Sequence, residues 1–70
     1  MVISKRIMEH KATSTVEYVM YENHYGNGKI TYSIAKRYRQ SGEVIEWVVR
    51  NVSRSTVDAV WCDRVTDKVI

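Results

Sequence analysis

Few side chains in this chain could do covalent or proton-transfer chemistry, and their spacing decides what each could do. Tyr32 and Lys36 stand four residues apart, where an ammonium on the same helix face would lower a phenol's pKa for proton transfer. That chemistry needs a nucleotide held by a glycine-rich turn, and the chain has only 3 glycines, none in the dinucleotide-binding spacing. His10, His24 and Cys62 are the soft metal ligands, but no two of them have the local spacing that opens a zinc site. The same three residues offer a Cys and His for nucleophilic catalysis, with nothing to hold them together or supply an orienting third group. Gly26-Asn27-Gly28 would cradle a phosphate only if a helix came next, and the residues from Lys29 onward alternate like a strand. The expectation is therefore no enzyme, no metal, no cofactor and no small-molecule substrate.

Size and composition narrow the alternatives. Seventy residues make one domain, 1–70, and a chain this short buries only about 60% of the surface its unfolded form exposes. With 44% apolar residues it is globular in composition; its aromatics, five Tyr and two Trp with no Phe, carry polar handles suited to half-buried positions and interfaces. The net charge of +3 is uneven: residues 28–54 hold Lys29, Lys36, Arg37, Arg39, Arg50 and Arg54 against Glu43 and Glu46, while residues 1–27 balance. Such a surplus suits nucleic acid or an acidic protein and argues against an acidic mimic of DNA. One cysteine gives no internal disulfide, the N-terminus lacks an apolar leader, and no apolar run approaches the ~20 residues that span a bilayer. The expected setting is the cytoplasm, away from membranes.

The elements that must position any site are set by the turns. Between Ser14 and Val52, Asn27-Gly28 and Ser41-Gly42 separate three runs rich in Val, Ile, Tyr and Trp. Reading both as two-residue hairpin loops sets Tyr25 against Ile30, Tyr21 against Ile34 and Val19 against Lys36, then Ile34 against Val49, Lys36 against Trp47 and Tyr32 against Asn51. Both turns then put Tyr21, Tyr32, Ile34 and Trp47 on one core face, and Tyr18, Met20, Arg37, Arg39, Val48 and Arg50 on the other. Residues 1–10 suit an edge strand guarded by Lys5, Arg6 and Lys11, with a short helix there as the alternative. Ser55 and Asp58 resemble a capping box, and Val57, Val60, Trp61 and Val65 recur at helical spacing, which predicts a helix over 55–67 lying across the core face. The expected fold class is α+β: a small two-layer domain, an antiparallel β-meander of three to four strands with one C-terminal helix packed on one face.

Function is then expected from the face without the helix. An apolar strip edged by arginines has the composition of an interface. The first expectation is a small non-enzymatic binding protein using Tyr18, Met20, Arg37, Arg39, Val48 and Arg50 against a protein partner or a second copy. Short free-standing chains of this kind are also made by phages and mobile elements to inhibit host machinery. The alternative is nucleic-acid binding. A three-stranded sheet with a helix behind it, over 14–67, resembles in topology the arm-type DNA-binding domain of tyrosine recombinases. That resemblance implies a sheet in the major groove, with Arg37, Arg39 and Arg50 at phosphates and base edges and Lys29 and Lys36 on phosphates.

Overall fold

A computed structural model describes residues 2–66. Four strands, β1 (Val2–Ala12), β2 (Val16–Tyr25), β3 (Ile30–Tyr38) and β4 (Val44–Val52), precede a helix α1 (Arg54–Val60) that continues as a π-helical turn over Trp61–Thr66. The strands form one antiparallel sheet in chain order, and the helix lies on one face of it: the expected two-layer α+β meander, with four strands. The edge strand runs two residues past the expected limit. The helix starts one residue early because Ser53, not Ser55, caps it: Ser53 is extended (φ −73°, ψ 164°), and its Oγ accepts the Thr56 N–H at 3.3 Å. The last residue of the expected helix, Asp67, lies outside the described residues. Among the described residues no helix is long and apolar enough to cross a membrane.

The turns differ from the two-residue reading, and the difference decides which face is which. Between β2 and β3 the loop is Gly26-Asn27-Gly28: the Tyr25 N–H donates to Lys29 O at 2.9 Å, and the Gly28 N–H to Tyr25 O at 3.0 Å. A two-residue turn of the expected type needs positive φ at both Asn27 and Gly28. Only Gly28 has it (φ 86°), while the Asn27 side chain accepts the Lys29 N–H at 3.0 Å. The extra loop residue slips the pairing by one, so Met20 faces Ile34, Val19 faces Ala35 and Tyr21 faces Ser33. A slip of one residue moves every side chain of β2 to the other side of the sheet.

The second loop is also longer than two residues. The Tyr38 N–H donates to Glu43 O at 3.0 Å and the Gly42 N–H to Tyr38 O at 2.9 Å, with Gly42 at φ 74°. Ile34 still faces Val49 as expected, but irregularities in the β3–β4 pairing bring Trp47 opposite Ala35 instead of Lys36. The core beneath the helix is Met20, Ile34, Val57 and Val65, with Tyr18, Tyr32, Val48, Val49, Val52, Val60 and Trp61 packed around it. Each fully buried aliphatic side chain there contributes about 1.5–3 kcal/mol. Ile34 and Tyr32 lie under the helix as expected. Tyr18, Met20 and Val48, expected on the open face, lie there too, and Tyr21 and Trp47, expected in the core, lie on the opposite face.

Candidate functional site: the sheet face opposite the helix

The pairings place Lys5, Ile7 and His10 of β1, Glu17, Val19, Tyr21 and Asn23 of β2, and Thr31, Ser33, Ala35 and Arg37 of β3 on one face, joined by Trp47 and Arg50 of β4. Val19 and Ala35 form its floor; both are 0% exposed although, among the described residues, no helix or strand lies over them. Tyr21 and Trp47 stand side by side on that floor, centroids 6.1 Å apart and planes tilted by 52°. Cations from both edge strands reach over them. Lys5 Nζ lies 5.2 Å from the Trp47 ring centroid and 5.5 Å from that of Tyr21, and the Arg50 guanidinium lies 4.9 Å from Trp47. Contacts of this kind at exposed positions stabilise by about 0.5–1 kcal/mol each.

One carboxylate organises the end of this face nearest the β1–β2 loop. Glu17 is buried and accepts from His10 Nε2 with one oxygen and from Arg37 Nε with the other, and Arg37 Nη1 donates to the Tyr21 hydroxyl at 3.0 Å. The hydrogen bond from His10, seconded by Arg37, outweighs the burial that would raise it and holds the Glu17 carboxyl below the usual carboxylate range. At the other end Asn23 Nδ2 donates to Ser33 Oγ at 3.0 Å and Thr31 Oγ1 at 3.4 Å. Asn51, in the left-handed conformation (φ 55°), ties β4 to this row: its N–H donates to Ser33 Oγ at 3.2 Å, and its Oδ1 accepts from Tyr25 OH at 2.9 Å and Thr31 Oγ1 at 3.2 Å.

The charges divide unequally between the two layers. Among the described residues, Lys5, Arg37 and Arg50 on the open face stand against one carboxylate, Glu17, which leaves two positive charges. The helix and the sheet face beneath it carry Arg6, Lys11, Lys36, Arg54 and Arg64 against Glu9, Glu22, Glu46, Asp58 and Asp63, which balance. Glu22 is the counterpart of Glu17 on that side: His24 Nε2 at 2.6 Å, then Arg6 Nε at 3.3 Å, hold its carboxyl below the ordinary range. Among the described residues, the third surplus charge sits in the loops, with Lys29 and Arg39 against Glu43.

The residues singled out from sequence are thus dispersed. Arg37 and Arg50 belong to the open face. Arg39 is fastened at the loop end of the sheet, its guanidinium donating to Thr13 O at 2.8 Å and its backbone N–H to Thr15 O at 3.1 Å. Lys36 is on the helix side, its Nζ 6.0 Å from the Tyr18 ring centroid, and Lys29 is exposed where the β2–β3 loop enters β3. Tyr18, Met20 and Val48 are occupied with the core. Sequence reasoning missed Lys5, Tyr21 and Trp47. The available signal was the one that flagged aromatics with polar handles as half-buried, which both rings are.

A cleft of about 380 Å³ between the β1–β2 and β3–β4 loops is lined by Ser14, Thr15, Tyr38, Arg39, Gln40 and Ser41, with no His, Asp or Glu to activate its hydroxyls. Among the described residues no cluster of three or more His, Cys, Asp or Glu could hold a metal ion, and Cys62 is exposed on the helical segment. No protein-family model matches the chain, and comparison with curated proteins and with solved structures finds no match.

Proposed function

We propose that this chain is a non-enzymatic binding module that engages an anionic partner through the sheet face the helix leaves open. The carrying observation is that, among the described residues, the face with the Tyr21–Trp47 pair also holds two of three surplus positive charges, while the helix side is neutral. Trp, Tyr and Arg together are the usual energetic anchors of interfaces. A second copy is a poor occupant, because two-fold pairing of this face would bring together two surfaces that each carry the same surplus positive charge.

Heparin serves as a polyanion of no particular shape for the test, at low salt. Lys5→Glu with Arg50→Glu should weaken its binding by about tenfold or more, since reversing cations removes the counterion release that drives such association. Lys11→Glu with Arg64→Glu, the same charge change on the helix side, should leave it within about twofold. Equal losses from both pairs, or no heparin binding by the wild type, overturn the proposal.

A further inference from the structure

We infer that the anionic partner is single-stranded nucleic acid, with bases stacking on Trp47 and Tyr21 while Lys5 and Arg50 leave the rings for the phosphates. This rests on the binding face proposed above and names its occupant. Three observations favour a single strand over other polyanions.

The first is the pair of rings. An acidic protein surface would pair with the cations, but its carboxylates are repelled by the negative ring faces those cations now cover, whereas every nucleobase has a π-face that stacks on them. The second is the placing of the cations. Lys5 stands on edge strand β1 and Arg50 on edge strand β4, so flexible stems flank the rings from both sides of the sheet. An exposed cation–π contact is weaker than base stacking on an aromatic ring, so a base displaces the cation, and the freed charge stays within reach of the backbone. The third is width. Four strands at ~4.8 Å spacing set the outer strand axes ~14 Å apart before side chains are counted. The molecule measures 38 × 26 × 16 Å. A B-form major groove ~12 Å wide does not admit that face, and stacked bases in a duplex present no π-face to the rings.

The test compares a 12-nucleotide oligo-dT, a duplex of equal length and heparin, each titrated at low salt into the wild type, Trp47→Leu and Trp47→Phe. Oligo-dT should bind about tenfold or more tighter than the duplex; Trp47→Leu should weaken oligo-dT about tenfold while changing heparin less than about threefold, and Trp47→Phe, which keeps a ring, should retain most of the affinity. Far-UV circular dichroism checks that the variants remain folded, and the Phe variant keeps the test decisive if the Leu variant does not. Duplex binding as tight as oligo-dT, or oligo-dT affinity indifferent to the ring at 47, overturns the single-strand inference. Loss of heparin binding from neither cation pair, or no polyanion binding at all, instead overturns the proposed binding face.

Discussion

Met20 and Tyr21 are neighbours on β2 that the structure sends to opposite faces, so one substitution made at both positions tests the assignment. Met20 is 2% exposed beneath the helix. Gln has nearly its shape, so Met20→Gln opens no large cavity. It loses about 1.5–3 kcal/mol of apolar burial and leaves an amide without partners, which costs a further ~1–3 kcal/mol. A chain of 70 residues has a total stability of roughly 3.5–10 kcal/mol, so Met20→Gln removes a large share or all of it. Tyr21→Gln forfeits the ring contact with Trp47 and the Lys5 cation, about 1–2 kcal/mol together, with an amide that still reaches water and Arg37. Urea unfolding tracked by circular dichroism reads both, with equal m-values confirming that midpoints are comparable. If Tyr21→Gln unfolds the chain while Met20→Gln costs under about 1 kcal/mol, the face assignment is wrong and the two-residue turn is right.

Val48→Asp, which an open-face position would tolerate, should cost about 1–3 kcal/mol, because it sets a carboxylate at a half-buried position packed against the core; a urea midpoint equal to the wild type's contradicts this. Ser53→Ala removes the cap of α1 and should cost ~1 kcal/mol, a melting shift of roughly 4–8 °C in a domain this small. Glu17 and Glu22 have folded pKa values depressed below their unfolded ones, so their contribution is complete above the ordinary carboxylate pKa of about 4.3 and is lost as pH falls through the folded values. Melting temperature should therefore drop below that pH, and the Glu17→Gln, Glu22→Gln double variant should show a shallower drop; parallel curves would contradict the assignment.

The element order was legible because β-branched residues favour strands between glycine-bearing turns, even over Val44–Val52 where a helical period also fits, and Val57, Val60 and Val65 keep helical spacing. The faces were legible strand by strand. β3 came out right throughout, since Ile34 anchors it to the core and alternation does the rest. β2 came out inverted, because an Asn-Gly pair is compatible with both a two-residue and a three-residue loop, and the choice hung on the φ of Asn27. β4 came out half right: its irregular pairing leaves Val48 and Val49 both in contact with the core, so Val49 and Arg50 sit where alternation puts them and Trp47 and Val48 do not. The candidate face was therefore visible in Arg37 and Arg50, which do not depend on the β2 register, and hidden in Tyr21, which does. Lys5 was read as an edge guard, and its reach over two rings comes only from tertiary placement.

The chain's two tryptophans stand on opposite layers, Trp47 on the open face and Trp61 packed with the helix against the core, so their indole N–H resonances report on the two sides separately. Titration of the labelled protein with oligo-dT, monitored by NMR, should shift the Trp47 indole and the Lys5, Tyr21 and Arg37 amides while the Trp61 indole stays in place. A Trp61 indole that moves while Trp47 does not would contradict the account.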